Sequence, residues 1–211
     1  LVDHPDRSFV ALLVEALRQK EFDVPNEPYL RSCLLEALLV CADPRKDLDA
    51  VKLVARLLNA RSSGGAETKK CRFLGRAGGP EVIAALRRTL AATTDTSHQA
   101  AAAGALAQLG ENDVVVLLRH FALKSEERYT RWNSWYGLAV SKAPEARETL
   151  AQVLGELKTD GERMYFVDEL LAAGNSRNAE LIRKAIELGD LYKETHSSKL
   201  KELEARNLTG E

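Results

Sequence analysis

The chain has 211 residues and a formal net charge of −1, with 30 Lys and Arg against 31 Asp and Glu. This near neutrality disfavours functions that depend on overall attraction to nucleic acid or to an anionic membrane. The abundance of Ala, Leu, Glu, Arg and Lys is typical of helical proteins, and no apolar run reaches the length of a membrane-spanning helix.

Three cysteines, Cys33, Cys41 and Cys71, fall on predicted helices among apolar residues. Their odd number, and the lack of a neighbouring His, predict small buried side chains in a reducing compartment rather than disulfides or a zinc site. Since no signal peptide is visible, we expect a cytoplasmic protein. The start at Leu1 without Met leaves open that the chain was processed or belongs to something longer.

Internal repetition at an interval of 32 residues dominates the sequence. Apolar residues recur on helical stripes at Val54, Leu86, Leu118, Leu150 and Ile182. This pattern predicts a single repeat domain over 1–211, because one helical hairpin cannot bury its apolar face without copies on either side. We expect about six hairpins, at 6–42, 43–75, 79–110, 112–142, 144–174 and 176–206.

The first two hairpins show the repeat least clearly. Asn26 is the expected cap of the second helix. Asp43 followed by Pro44 predicts that the next helix starts there, because proline suits the first helical position. The helix predicted over 66–74 is the shortest and most polar, and it follows the Gly-rich segment 62–65, where we expect local mobility.

The third hairpin, 79–110, shows the repeat most clearly. Its second helix, predicted over 97–109, is mostly alanine, which favours helix and lets a neighbouring helix pack closely. Thr96 and Gln99 predict a capping box at its start, and Gly110 predicts its end.

The last three hairpins follow the same pattern of paired helices. We predict helices at 113–123 and 126–140, at 144–157 and 162–173, and at 177–188 and about 191–206. The final helix is strongly charged, as the exposed end of a repeat array requires.

Two motifs identify what these hairpins are similar to. LG-x-x-G-x-P-E-V-I-x-A-L at 74–86, followed by A-A-x-x-A-L-A-x-L-G at 101–110, resembles HEAT repeats, most closely the short HEAT-like repeats of the phycobilisome-lyase type. The resemblance implies an all-α fold, a right-handed α-α superhelix of the HEAT/armadillo-like solenoid kind. It also implies that the second helix of each hairpin lines the concave face.

The resemblance implies a structural role for one recurring arginine. Arg31, Arg131 and Arg163 lie at the family's Arg position near the start of the second helices. There such a residue pairs with an Asp or a carbonyl of the neighbouring turn and forms a ladder along the stack.

If the second helices line the concave face, their exposed positions can be assigned by register. In the third hairpin the residues expected to face the core are Ala102, Ala103, Leu106 and Leu109. Those expected to face the groove are Ser97, Ala100, Ala101, Gly104 and Gln108. The corresponding groove positions of the fourth and fifth hairpins include Tyr129, Trp132, Asn133, Tyr136, Met164, Tyr165 and Asp168.

We take this second set as the candidate binding site, with Arg128, Arg131 and Asp168 making polar contacts. Exposed aromatic residues beside small ones are typical of a binding hot spot. The alternative is that these rings fill gaps between hairpins, and the sequence leaves both interpretations open. Trp135 falls in the core register. A separate basic cluster is predicted to be a solvated helix face: Lys69, Lys70, Arg72 and Arg76.

The sequence favours a non-catalytic module that binds a peptide or a partner helix in its concave groove, alone or within a larger complex. No catalytic residue, metal ligand or cofactor is predicted, because no His is followed by Glu and no nucleophile elbow, phosphate-binding loop or paired-Cys pattern occurs. The resemblance leaves two alternatives. One is bilin-type ligand binding or a lyase subunit on the same aromatic residues. The other is a HEAT-like alkylpurine DNA glycosylase using Trp132, Tyr165 and Asp168, which the neutral charge disfavours.

Overall fold

A computed structural model describes residues 7–19, 27–58 and 64–209 of the chain. In this part there are twelve α-helices and no strand: α1 (Arg7–Arg18), α2 (Glu27–Cys41), α3 (Leu48–Leu57), α4 (Gly64–Ala77), α5 (Pro80–Ala92), α6 (Thr96–Gln108), α7 (Val115–Lys124), α8 (Arg128–Val140), α9 (Pro144–Glu156), α10 (Asp160–Ala173), α11 (Ala179–Leu188) and α12 (Lys193–Thr209). Most helices pack on the next helix along the chain, and α4, α6, α8 and α10 pack side by side in that order. The prediction of an all-α repeat solenoid is therefore confirmed. None of the described helices is long and apolar enough to cross a membrane.

The predicted start of α6 is wrong by one residue. Asp95, not Thr96, caps the helix, and its carboxylate accepts hydrogen bonds from the backbone N–H of Ser97 and His98 at 2.8 and 3.0 Å. Gln99 turns instead to the carbonyl of Thr93, at 2.8 Å. A carboxylate is favoured here because it interacts both with the free N–H groups and with the positive end of the helix dipole.

The second hairpin differs from the prediction at both of its helices. α3 begins at Leu48 rather than at Pro44, because Asp43 and Asp47 close a turn in which the Asp47 carboxylate accepts from the Asp43 N–H at 2.7 Å. α4 has 14 residues and is not the shortest helix among those described. The predicted cap at Asn26 and residues 62 and 63 lie outside the described residues.

The basic residues of α4 do not form the solvated face that the sequence predicts. Lys70 is fully buried and donates hydrogen bonds to the Leu57 carbonyl at 2.6 Å and to Glu67 at 2.5 Å. Lys69 and Arg76 are exposed as expected, whereas Arg72 is only partly so and faces the neighbouring helices. The cysteines differ in burial: Cys71 is buried as predicted, whereas Cys33 is exposed.

The alanine-rich helix α6 is the centre of the packing. Its neighbours α4 and α8 cover it from both sides, so every residue from Ala100 to Ala107 is buried. The expectation that Ala100, Ala101 and Gly104 face a groove is therefore wrong. Most side chains of this segment are methyl groups, so it fits closely between two other helices. None of its residues from Ala100 to Ala107 is polar, so no side chain there has to face solvent.

Two glycines set the distance between α6 and α8. A β-carbon added to Gly137 would lie 2.7 Å from the Cα of Gly104 and 3.0 Å from both methyl carbons of Leu118. These separations are shorter than van der Waals contact, so the two helices can approach this closely only without side chains at these positions.

We expect Gly137→Ala to destabilise the protein by about 1–3 kcal/mol, because the added methyl group forces α6, α8 and Leu118 apart. The matched control is Gly155→Ala in α9, where an added β-carbon meets no atom within 4 Å. This control should gain up to about 1 kcal/mol from the higher helix propensity of alanine. Urea unfolding of both variants measures the difference, and equal stabilities would contradict the close contact.

Candidate functional site

Three aromatic side chains from α8 and α10 form one continuous cluster, which we call the aromatic ledge: Tyr129, Trp132 and Tyr165. The rings of Trp132 and Tyr165 stack with centroids 4.1 Å apart, and the Tyr129 ring meets Trp132 edge-on at 5.2 Å. Tyr129 remains 52% exposed and Tyr165 40% exposed, whereas Trp132 is half-buried between them. Such packing fixes the rings while leaving apolar surface open to solvent.

The other predicted site residues on these helices lie deeper. Tyr136 and Met164 are buried, so the expectation that they face an open groove is wrong, whereas Asn133 is buried but still lines a cavity. Position in the register is not enough to expose them, because neighbouring helices of the stack cover their sides. Trp135 is buried against Phe166 with ring centroids 5.5 Å apart, as the core register predicts.

The predicted arginines take different positions. Arg128 is exposed, and its guanidinium carbon lies 5.1 Å from the Tyr129 ring centroid and 5.9 Å from that of Trp132. Arg131 is half-buried, and its Nε has no hydrogen-bond partner among the described residues. Arg163 follows the expected ladder. It donates to the carbonyls of Leu157 and Gly189 at 2.9 and 2.8 Å and pairs with Asp160 at 2.6 Å.

A cavity of about 890 Å³ lies beside the ledge, where α6 and α8 begin. The lining residues come from α4, α6, α8 and α10 and from the loops before α6 and α8. Tyr129 and Trp132 form part of one wall, and Asn133 also lines the cavity. The two capping carboxylates, Asp95 and Glu127, contribute to the lining as well.

An ion pair that the sequence does not predict joins α4 to α10 at the same cavity. The Nη2 of Arg72 lies 2.6 Å from a carboxylate oxygen of Glu169, although the two residues are 97 positions apart. The guanidinium also stacks over the Tyr136 ring, 4.0 Å from its centroid. This ion pair therefore crosses over α6 and α8, and the Tyr136 ring packs against its guanidinium.

Burial changes the pKa of Glu169 in this ion pair and that of the neighbouring Tyr136. Desolvation raises the pKa of Glu169 above its ordinary value, although the charge and hydrogen bond of Arg72 oppose the shift. Desolvation likewise raises the pKa of Tyr136, against the charges of Arg72 and Arg76. Taking a carboxylate out of water costs more here than its arginine partner returns.

Asp168, a predicted polar contact, belongs to a second arrangement. Its carboxylate lies 3.0 Å from the Nε2 of His196, while Asp190 lies 2.6 Å from the Nδ1 of the same ring. His196 and the Asp190 carboxylate are fully buried. Both ring nitrogens of His196 thus have a carboxylate partner, and the contact with Asp168 joins α12 to α10.

None of the described residues form a group of three or more His, Cys, Asp or Glu that could hold a metal ion. The free thiol of Cys71 is fully buried, which raises its pKa to about 12 and keeps it protonated at neutral pH.

The packed helical hairpins define an α-solenoid repeat protein, with its candidate site on neighbouring second helices. Residues 69–139 match the family model for HEAT repeats, from within α4 to within α8, so this part of the chain is similar to HEAT repeats. HEAT repeats generally mediate protein–protein interaction. No curated protein matches the chain. The finer resemblance to the phycobilisome-lyase type stays a prediction.

The raised pKa of Glu169 makes stability depend on pH. A carboxyl group whose pKa is higher in the folded state stabilises the fold below its unfolded pKa, and this contribution is lost as the pH rises through the folded pKa. Glu169→Gln keeps an acceptor for Arg72 but does not ionise. We therefore expect the stability of this variant, relative to the original protein, to increase from about pH 3 to about pH 7.

Urea unfolding across that range provides the measurement. A relative stability that falls with rising pH would contradict the account, because it would mean that the attraction of Arg72 outweighs the desolvation of Glu169.

The bonds of His196 to Asp168 and Asp190, which we call the His196 clamp, should hold α12 in place. His196→Phe removes both ring nitrogens and leaves the buried Asp190 carboxylate without its partner, so we expect a loss of about 2–4 kcal/mol. Hydrogen exchange in α12 should become faster, whereas Lys199→Ala, at an exposed position of the same helix, should leave it unchanged. Unaltered exchange in the His196 variant would show that the clamp does not hold the helix.

Proposed function

We propose that this protein is a non-catalytic interaction module that holds a segment of a partner protein against the aromatic ledge and the adjoining cavity. The observation that carries the proposal is the ledge itself. Three rings from two helices are fixed against each other, yet two of them keep a large exposed fraction. Rigid aromatic side chains at the edge of a concavity supply most of the binding energy in many protein interfaces.

The proposal treats 1–211 as a single repeat domain acting in the cytoplasm, and it requires no cofactor. The alternatives draw less support. A DNA glycosylase would need Asp168 as an acidic group beside the rings, but that carboxylate is bonded to His196. A bilin would need open ring faces, but Trp132 already stacks on Tyr165. A peptide can instead use the exposed edges and faces of Tyr129 and Tyr165.

The test starts from peptides selected on the protein, because no partner is known. A display library of random peptides of about twelve residues, long enough to cross such a site, is panned against the purified chain. The affinity of the selected peptides is then measured by fluorescence anisotropy. We expect Trp132→Ala to weaken binding at least about tenfold, since it removes the central ring of the ledge.

The matched control is Tyr29→Ala, which removes an exposed aromatic ring on α2, outside the site. It should leave affinity unchanged, and thermal melts should show both variants folded. Tyr136 is not a suitable target, because it is 6% exposed and its truncation would disturb the core. Failure to select any peptide, or equal loss in both variants, would contradict the proposed function.

A further inference from the structure

We propose that the cavity beside the aromatic ledge receives an arginine side chain of the bound partner segment. This inference rests on the proposed function and specifies the chemistry of the partner. It depends on three features that lie together at the start of α6 and α8: carboxylates without a Lys or Arg partner, a buried carboxamide with an unused acceptor, and aromatic faces that already hold a guanidinium.

The two capping carboxylates supply negative charge. Asp95 and Glu127 form no ion pair with a Lys or Arg in the described part of the chain, and the Nδ1 of His98 lies 3.8 Å from the Asp95 carboxylate. Partial burial raises the pKa of Glu127, but hydrogen bonds from Thr130 and Tyr129 outweigh it and keep that pKa below its ordinary value. Glu127 is thus ionised at neutral pH, and both carboxylates retain lone pairs beyond those used in capping.

The buried carboxamide of Asn133 adds an acceptor in the cavity wall. Its Nδ2 donates to Thr68 Oγ1 at 3.2 Å and to the carbonyl and hydroxyl oxygens of Ser97 at 3.2 and 3.1 Å. Its Oδ1 accepts no hydrogen bond from any described residue, although the side chain is 94% buried, with a relative exposure of 6%. This oxygen is accessible from the cavity, so a ligand that donates hydrogen bonds can bind to it.

The cavity's own cations do not take this role, because they are already paired. Arg72 is bound to Glu169, and Lys69 is bound to Glu36 at 2.9 Å. An acidic ligand would therefore have to break one of these pairs or bind outside the cavity at Arg128, whereas a cationic ligand finds Asp95 and Glu127 available. This difference favours a positively charged occupant over a carboxylate or phosphate.

The rings select arginine over lysine. Arg128 already holds its guanidinium over Tyr129 and Trp132, so these faces accept a planar cation, and an exposed side chain can swing aside to admit another. A guanidinium has five donors in one plane, which suits a site with several acceptors and an aromatic wall. An ammonium group is a compact point charge that stacks less well.

The experiment uses the display-selected peptides described above, whose binding depends on Trp132. We expect these peptides to be enriched in arginine. In the best synthetic peptide, replacing that arginine with alanine should weaken binding at least about tenfold, and replacing it with lysine should weaken it by a smaller factor.

On the protein, Asp95→Asn combined with Glu127→Gln removes both charges but keeps capping acceptors, so the fold should be preserved. This double variant should bind the original peptide at least about tenfold more weakly and should bind the arginine-to-alanine peptide as the original protein does. Arg128→Ala should raise the affinity, because it removes a competing cation from the rings, whereas an acidic ligand would bind this variant more weakly.

The outcomes separate the two proposals. Peptides that need Trp132 but lack arginine, or bind equally to the double carboxylate variant, would overturn the arginine site and leave the proposed function standing. The absence of any peptide that needs Trp132 would overturn both. Circular dichroism and thermal melts of each variant exclude unfolding as the cause of a lost signal.

Discussion

The approach of α6 to α8 at Gly104 and Gly137 is the constraint on which the rest of the structure depends. Here two backbones meet without intervening side chains, which draws four second helices together around an alanine-rich centre. Because α6 presents little more than methyl groups to its neighbours, α8 carries the large side chains of this region. Its rings must therefore pack into the core, as Trp135 does, or emerge at the edge, as Tyr129 does.

Polar side chains also bridge the helices of this closely packed stack. Arg72 and Glu169 meet over Tyr136, so their pairing ties α4 to α10 across the two helices between them. Lys70 and His196 also form hydrogen bonds with buried carboxylates, in the second and the last hairpin, respectively. Each of these contacts holds a helix in place but costs desolvation, so each adds more to the geometry of the stack than to its stability.

The sequence predicts much of this architecture. The 32-residue interval of apolar positions indicates the helices and their pairing into a repeat solenoid, and the motifs over 74–86 and 101–110 indicate HEAT repeats. Which residues of α6 are buried could not be predicted from this interval. Alanine suits a buried or an exposed flank, so Ala100 and Ala101 carry no amphipathic signal.

The candidate site could be predicted only in part, for a related reason. Register places Tyr129, Trp132 and Tyr165 on neighbouring helices, and the structure brings their rings into contact. The Arg72–Glu169 pair joins residues 97 positions apart, and no local pattern marks either as the partner of the other. Burial of Asn133 and Tyr136 depends on how tightly whole helices pack, which sequence spacing does not contain.

The chain's two tryptophans provide the most direct test of the central claim, that the aromatic ledge and not the core contacts the partner. Trp132 lies on the ledge, and Trp135 is buried three residues away on the same helix. In ¹H–¹⁵N correlation spectra, titration with an arginine-bearing selected peptide should shift the indole N–H signal of Trp132 and leave that of Trp135 in place. A shift confined to Trp135, or no shift of either signal at saturating peptide, would contradict the account.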